Sequence, residues 1–255
     1  MSEAIYTVGS GSILQQMRLE VLANNLANVN SSGYKVERPL FKAFLPGGEE
    51  GAPAAAVEVE AGEATVMAKN YHVEFVGTRI DFTKGQLKKT DSNLDFALIG
   101  NGFFSIQTDA GVQYTRSGAF NLDGDGRLVT HDGQPVLGEG GPIQINGNTV
   151  TVDESGAINV DGVEVDRFAI VDFEERDRLK KIGHTRFQIE EDMRPIAPEE
   201  GFRVKQAYLE LSNVNVIKSM SEMIDVLRTY EAQQKTIKAV TDMNIKAIND
   251  VGRPG

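Results

Sequence analysis

The chain has 255 residues, enough for at least one sizeable core and for one or two domains. It contains no cysteine and three histidines. That excludes a disulfide framework, a thiol nucleophile and thiolate-built metal sites, and leaves little for a histidine-built one. A formal net charge of −11 argues against a nucleic-acid partner, because phosphate binding needs a basic surface. No apolar run reaches the roughly 18 residues a membrane span requires, so no direct membrane insertion is expected. The uncharged segment Ala4–Met17 follows Glu3 and carries Thr7, Ser10, Ser12, Gln15 and Gln16. A cleaved signal peptide needs a basic start and an unbroken greasy centre, so none is expected.

The charge is unevenly spread. Residues 1–45 and residues 204–255 each carry a net +1, which leaves −13 on 46–203. Two near-neutral ends flanking an acidic centre are better suited than that centre to pack against copies of themselves.

The first segment is helical in pattern. Ile5, Val8, Ser12, Gln15, Leu19, Leu22, Leu26 and Val29 recur at alternating spacings of three and four, a heptad seam. Asn30-Ser31-Ser32-Gly33 then supplies the left-handed stop that ends helices. The segment Pro46–Ala64 is rich in Gly, Ala, Pro and Glu, with five acids and no base; it reads as a flexible acidic loop within an extended connector, 36–85.

The middle of the chain is β-sequence. Residues 100–162 hold 13 of the 26 glycines, mostly in turn dipeptides such as Asn101-Gly102, Asp123-Gly124, Asp125-Gly126 and Asp161-Gly162. Between them lie short runs: Phe103–Ile106, Val112–Thr115, Arg127–Thr130, Ile143–Ile145, Thr149–Val152, Val163–Val171 and Phe187–Ile189. Strands at this spacing predict an antiparallel sandwich or barrel over 86–203.

A second long helical pattern closes the chain. Val216, Met220, Met223, Leu227, Tyr230, Gln234, Ile237, Thr241, Asn244 and Ile248 again alternate four and three, without an internal proline or glycine. Ser212, Asn213 and Asn215 offer N-caps ahead of it. A helix of about 35 residues is some 50 Å long, more than a compact domain of this size needs. The expected fold class is therefore α+β. N-terminal (1–35) and C-terminal (204–255) helices form a coiled coil, and a mainly antiparallel β domain lies between them.

The sharpest metal-site resemblance is Asn121-Leu-Asp123-Gly-Asp125-Gly126 with Asp132 at the twelfth position, close to a calcium loop. Its flanks read as strands, and a hairpin turn is the better reading of the same residues. Asp91 with Asp95, or Glu174 with Glu175, offers carboxylate pairs of the kind that cleave glycosides; 37 acids supply many such pairs by chance. No catalytic constellation and no cofactor is expected. Two readings of other classes compete: a secreted β-domain binding module on a coiled-coil stalk, and a carbohydrate-active enzyme.

The segment Leu22-Ala-Asn-Asn-Leu-Ala-Asn-Val-Asn-Ser-Ser-Gly-Tyr-Lys35 resembles the N-terminal signature of the bacterial flagellar rod and hook axial proteins. Leu211-Ser-Asn-Val-Asn-Val216 with Met223–Gln234 resembles the family's C-terminal motif. Leu94–Phe104 and Tyr114–Phe120 resemble its β-domain. The short length sets aside the larger hook proteins. Leu137–Ile143 and Tyr230–Gln234 look most like a proximal-rod subunit, with a distal-rod one as the rival.

The resemblance implies a structural protein, exported from the cytoplasm by the flagellar type III apparatus into the periplasmic rod of the basal body. Its partners would be other rod and hook–basal-body axial proteins and further copies of itself. The terminal helices would fold together on assembly, which agrees with the marginal stability of helices lacking a partner surface. The expected assembly interface is Leu19, Leu22, Leu26, Met223, Leu227, Tyr230 and Ile237, with Asn24, Asn25 and Asn28 bonding between subunits.

Overall fold

The computed structural model describes residues 2–44, 56–60, 72–183, 185–198 and 201–251. The chain divides into two compact units. The first comprises Met1–Ala27, Glu37–Asp81 and Asn215–Gly255; the second comprises Asn28–Val36 and Phe82–Val214.

The first unit contains helix α1 (Ser2–Ala27), strands β1 (Val36–Phe44), β2 (Ala56–Glu60) and β3 (His72–Asp81), and helix α2 (Val216–Val251). Asn215 caps α2, its Oδ1 accepting from the Lys218 N–H at 3.0 Å, as an N-cap side chain does for the third helical amide. The helices pack side by side and antiparallel. Gly11 lies beside Gln233, Ser12 Oγ accepts from Gln234 Nε2 at 2.9 Å, and Arg18 feels the charge of Glu222.

The expected connector 36–85 carries its own sheet, in the order β2-β1-β3, with β1 and β2 antiparallel. Phe41 of β1 is fully buried and meets Phe75 of β3 edge-on, ring centroids 5.8 Å apart. The acidic segment Pro46–Ala64 falls mostly outside the described residues. Its described part, Ala56–Glu60, is β2, where Val57 and Val59 alternate with Glu58 and Glu60.

The second unit holds sixteen short strands among its described residues: β4 (Leu87–Lys89), β5 (Phe96–Ile99), β6 (Phe103–Thr108), β7 (Gly111–Thr115), β8 (Phe120–Leu122), β9 (Leu128–Thr130), β10 (Leu137–Gly138), β11 (Gly141–Pro142), β12 (Val150–Val152), β13 (Ala157–Val160), β14 (Val163–Arg167), β15 (Ile170–Val171), β16 (Lys180–Lys181), β17 (Arg186–Gln188), β18 (Arg203–Gln206) and β19 (Tyr208–Glu210). The largest sheet runs β15-β6-β7-β17-β16 and the next β12-β13-β14; the rest pair as β5 with β18, β4 with β19, β8 with β9 and β10 with β11. The registered pairings are antiparallel. The chain is thus α+β, with helices at both ends and a mainly antiparallel β region.

Strand alternation gives the five-stranded sheet two buried faces. Phe104, Ile106 and Ile170 enter a core with Phe96, Phe120, Phe168 and Val204. Phe103 and Phe187 point the other way, into a ring cluster with Phe82, where centroids lie 5.4–5.6 Å apart. Edge-on aromatic packing of this kind contributes beyond area alone.

Turn chemistry sets the hairpins. Asp161 (φ 51°) and Gly162 (φ 87°) form the two-residue loop joining β13 to β14, the backbone that matches strand twist. A different turn is built twice. Asp123 Oδ1 accepts from the amides of Asp125 and Arg127, and Asp153 Oδ1 accepts from those of Ser155 and Ala157. Each closes on a glycine at the fourth position, Gly126 (φ 79°) and Gly156 (φ 87°). Two expected strands differ. Ile143–Ile145 makes only an isolated bridge, through Gln144, and Val163–Val171 is split into β14 and β15, with a register shift against β13.

Candidate functional site

Each stretch that carries the family-like motifs has a defined structural task. In the second unit, the segment Asn28–Val36 is a strap laid on the β region. Gly33 takes φ 66° and donates its N–H to the Glu210 carbonyl at 2.8 Å. A Cβ at Gly33 would stand 2.3 Å from the Ser117 amide nitrogen, so this approach requires glycine. Tyr34 is buried, with Lys181 Nζ 3.4 Å from its ring centroid. At the strap's end, Asn213 Oδ1 accepts from the Val36 N–H at 2.8 Å.

Beneath the strap lies a buried ion cluster. Glu210 Oε1 accepts from Lys35 Nζ at 2.7 Å and from the Gly85 amide at 2.9 Å. Glu210 Oε2 accepts from Arg116 Nε at 2.9 Å. Arg116 also donates to the carbonyls of Leu98, Gly100 and Gly102 at 2.6–3.2 Å, and Lys35 to that of Thr83 at 2.8 Å. Burial alone would raise the Glu210 carboxyl. The charges of Arg116 and Lys35, with the hydrogen bonds from Lys35 and Gly85, outweigh it and hold the group below its ordinary value. Three side chains of this kind survive desolvation only when nearly every donor and lone pair is matched.

In the first unit, Asn25 is buried and bonds the Glu37 backbone with both ends of its amide. It donates from Nδ2 to the Glu37 carbonyl at 2.7 Å and accepts the Glu37 amide on Oδ1 at 2.9 Å, as a strand neighbour would. Asn25 therefore serves its own chain. Asn24 is exposed. Asn28, in the strap, takes the Ser31 hydroxyl on its Oδ1 at 3.2 Å and so shapes the exit from α1.

The helix faces divide the remaining expected interface residues. On α1, Ser12, Gln15 and Leu22 are buried within the chain, and Leu19 and Leu26 are half-buried. On α2, Met223, Tyr230 and Ile237 are half-buried, while Leu227 is exposed. The inward columns of α2 are Met223, Tyr230, Ile237 and Asn244 with Ser219, Val226, Gln233 and Val240. The greasier column through Met220 and Leu227 is turned away. It forms a stripe, Ile217, Met220, Ile224 and Leu227, each 38–83 % exposed, at the three-four-three spacing of a heptad seam. Ile217 and Ile224 are the residues the sequence pattern passed over, because a single seam was drawn where the helix carries two.

The calcium-loop look-alike is a hairpin turn between β8 and β9. Arg127 Nε donates to Asp123 Oδ2 at 2.8 Å, and its terminal nitrogen to Asp125 Oδ2 at 2.9 Å, so an arginine supplies the positive charge there. Backbone and side-chain hydrogen bonds from Arg127 hold the Asp123 carboxyl below its usual range. Asn121 and Asp132 are exposed and lie along a cleft.

Comparison with known proteins matches the same three stretches. Residues 5–35 match the flagella basal body rod protein family, 97–160 the D1 domain of the flagellar hook proteins FlgE/F/G, and 205–250 the C-terminal region of the flagellar basal body rod proteins FlgEFG. The flagellar hook-basal body complex protein FlhO of Bacillus subtilis is 32 % identical, over 99 % of this chain and 100 % of its own. The chain belongs to the flagellar basal-body rod protein family. FlgG of Agrobacterium fabrum is 33 % identical over 94 % of this chain and 96 % of its own, and FlgF of Caulobacter vibrioides 29 % over 99 % of both. This rod protein is a structural subunit of the flagellar basal-body rod, and its family is not one of enzymes. No described helix is long and apolar enough to cross a membrane.

Proposed function

We propose that this rod protein is a proximal-rod subunit that polymerises through its terminal helices into the shaft carrying motor torque to the hook. The observation that carries the reading is the outward stripe Ile217–Met220–Ile224–Leu227 on α2. A helix already packed on one face and apolar on another has a second seam to fill, and exposed apolar surface of this kind marks an association site. Head-to-tail contacts through such a seam build an open helical array. The pairing of α1 with α2 is read as a coiled coil, and the four-part division 1–35, 36–85, 86–203 and 204–255 as an N-terminal assembly helix, an extended connector, a β-rich outer domain and a C-terminal assembly helix. Leu227, with Ile217, Met220 and Ile224, heads the interface. Leu19, Leu26, Asn24, Asn28, Met223, Tyr230 and Ile237 border it, while Leu22 and Asn25 support it from inside the chain.

Export by the flagellar type III apparatus to the periplasm, without a cleaved signal peptide, and association with other axial proteins complete the proposal. The similarity to FlgG favours a second reading, a distal-rod subunit. Mass spectrometry of hook–basal bodies from wild type and from a strain arrested before the distal rod forms tests both. Presence in both samples is expected for the proximal rod, presence only in the complete structure for the distal rod, and absence from both rejects an axial role.

A further inference from the structure

All the sulfur in this chain is thioether. It has seven methionines and neither cysteine nor tryptophan, so methionine is the side chain on which a peroxide acts first. Three of the seven stand on α2, and the helix gives each a different setting. Met223 is half-buried on an inward column. Met243 is 61 % exposed, lies outside the apolar stripe and has Lys246 one turn on. Met220 is 51 % exposed and lies within the stripe. The residues three and four positions from it are Val216, Ile217, Met223 and Ile224. All four are apolar, so its own helix offers Met220 no side-chain donor one turn away on either side.

We propose that Met220 is an oxidation site: hydrogen peroxide converts its thioether to the sulfoxide in the free, folded chain, and the oxidised chain does not enter the rod. The proposal rests on the reading of the outward stripe as an assembly seam. The Met220 sulfur attacks one peroxide oxygen; the O–O bond breaks, an S=O bond forms, and the departing hydroxide takes up a proton to leave as water. Sulfur is oxidised by two electrons and the peroxide is reduced by two. In the free chain the new oxygen is hydrated at an exposed position, so the helix keeps its packing on α1. In a filled seam the same oxygen is an acceptor enclosed by Val216, Ile217 and Ile224, and a buried acceptor without a donor is strongly unfavourable. Sulfoxide formation turns a flexible apolar side chain into a polar one, the change that disrupts methionine-bearing interfaces. Met243 carries no such consequence, because it stands outside the stripe with a lysine beside it. A filled seam in turn covers the Met220 sulfur, so oxidation and assembly exclude one another.

The test has two parts. The purified full chain is treated with dilute hydrogen peroxide, and each methionine is followed by peptide mass spectrometry. Met220 and Met243 should react at similar rates and Met223 several-fold more slowly. In cells, Met220→Gln sets a neutral polar group in the place of the sulfoxide. It should lower the amount of this chain in purified basal bodies by about tenfold or more, the scale of one unpaired buried polar group. Met220→Leu and Met243→Gln should assemble as wild type does. Helical circular dichroism of the free Met220→Gln chain should match wild type; a loss of helix would assign Met220 to the chain's own packing and overturn the proposal. Reaction of Met220 no faster than that of Met223 would overturn it as well. So would Met220→Gln in basal bodies at the level of Met220→Leu while Ile224→Asp is absent from them, and the seam would then stand without the oxidation site. Normal assembly of both Met220→Gln and Ile224→Asp would remove the seam itself, and the oxidation site with it.

Discussion

Glu210 Oε1 and Lys35 Nζ lie 2.7 Å apart although 175 positions separate them in the chain, and both side chains are 2 % exposed or less. Arg116 completes the cluster from a third stretch. Glu210 is thus the one carboxylate between two buried cations. Glu210→Gln would leave both cations without a counter-charge, and removing one member of such a buried set costs about 3–5 kcal/mol. Lys35→Met should cost less, because Arg116 still balances Glu210. Urea unfolding followed by the tyrosine signal of Tyr34 and Tyr114 checks this. Equal losses for the two variants would mean that packing, and not charge, sets the cluster's contribution.

The same carboxylate gives a pH dependence of definite sign. Burial raises it, but Arg116, Lys35 and the Gly85 amide win, so its folded-state value lies below the ordinary 4.5. A depressed carboxyl contributes stability that is fully present above its unfolded value and lost as pH falls through the folded one. Stability at neutral pH should therefore exceed that below about pH 4.5, and Glu210→Gln should flatten this acid limb. Urea midpoints of both proteins between neutral pH and pH 3 decide the matter; parallel acid limbs would assign the effect to other carboxylates.

Gly33 is held by geometry and not by propensity. Its φ of 66° disfavours other residues, and a Cβ would meet the backbone of Arg116 and Ser117 at 2.3–2.7 Å. Backbone on both sides cannot yield as a side chain can. Gly33→Ala should destabilise the strap by more than the roughly 1 kcal/mol of an ordinary positive-φ substitution. Faster amide exchange at Gly33 and Tyr34, with the β6–β7 amides still protected, is the expected result. Protection unchanged at the strap would show that the backbone can part at that point.

Much of the architecture is legible in the sequence. On α1 the expected seam is buried at Ser12, Gln15 and Leu22 and half-buried at Leu19 and Leu26, and Leu14 and Asn25 beside it are buried too. Asp161-Gly162 marks its hairpin because few dipeptides accept that backbone. The face of α2 is not legible in the same way. Two heptad columns share Met223, Tyr230 and Ile237, and hydrophobicity favours the one through Met220 and Leu227. The structure buries Ser219 and Val226 and half-buries Gln233 instead, and Gln233 lies beside Gly11 of α1, where a small residue permits close approach. The ion cluster lies beyond sequence reading for another reason. Lys35, Arg116 and Glu210 look like any surface charges until topology brings them together.

Asn25 stands in for a strand, with both halves of its amide on the Glu37 backbone. Asn25→Ala would leave that N–H and C=O without their partner in a partly buried site, at about 1–3 kcal/mol. Amide exchange at Glu37 should accelerate by one to two orders of magnitude, the kinetic equivalent of that loss. Asn25→Asp should fall short of rescue, since a carboxylate can accept from the Glu37 N–H but cannot donate to its carbonyl. Full rescue by aspartate would show that only the accepted bond matters.

The two faces of α2 separate folding from assembly. Ile224 is 50 % exposed and Val226 is 2 % exposed, two residues apart on one helix. Ile224→Asp and Leu227→Asp place a charge where it stays solvated in the monomer, so the free chain should keep its stability to within about 0.5 kcal/mol. In an assembled seam the same carboxylate would be desolvated among apolar side chains, at a cost of several kcal/mol. Rods should then be absent and cells non-motile. Val226→Asp buries its charge in the monomer itself and should release α2 from α1, seen as lost helical circular dichroism. Motility of the Ile224→Asp and Leu227→Asp strains at wild-type level, with the chain present in their basal bodies, would remove the outward stripe from the assembly interface. Loss of monomer stability equal to that of Val226→Asp would instead place the stripe within the chain's own packing.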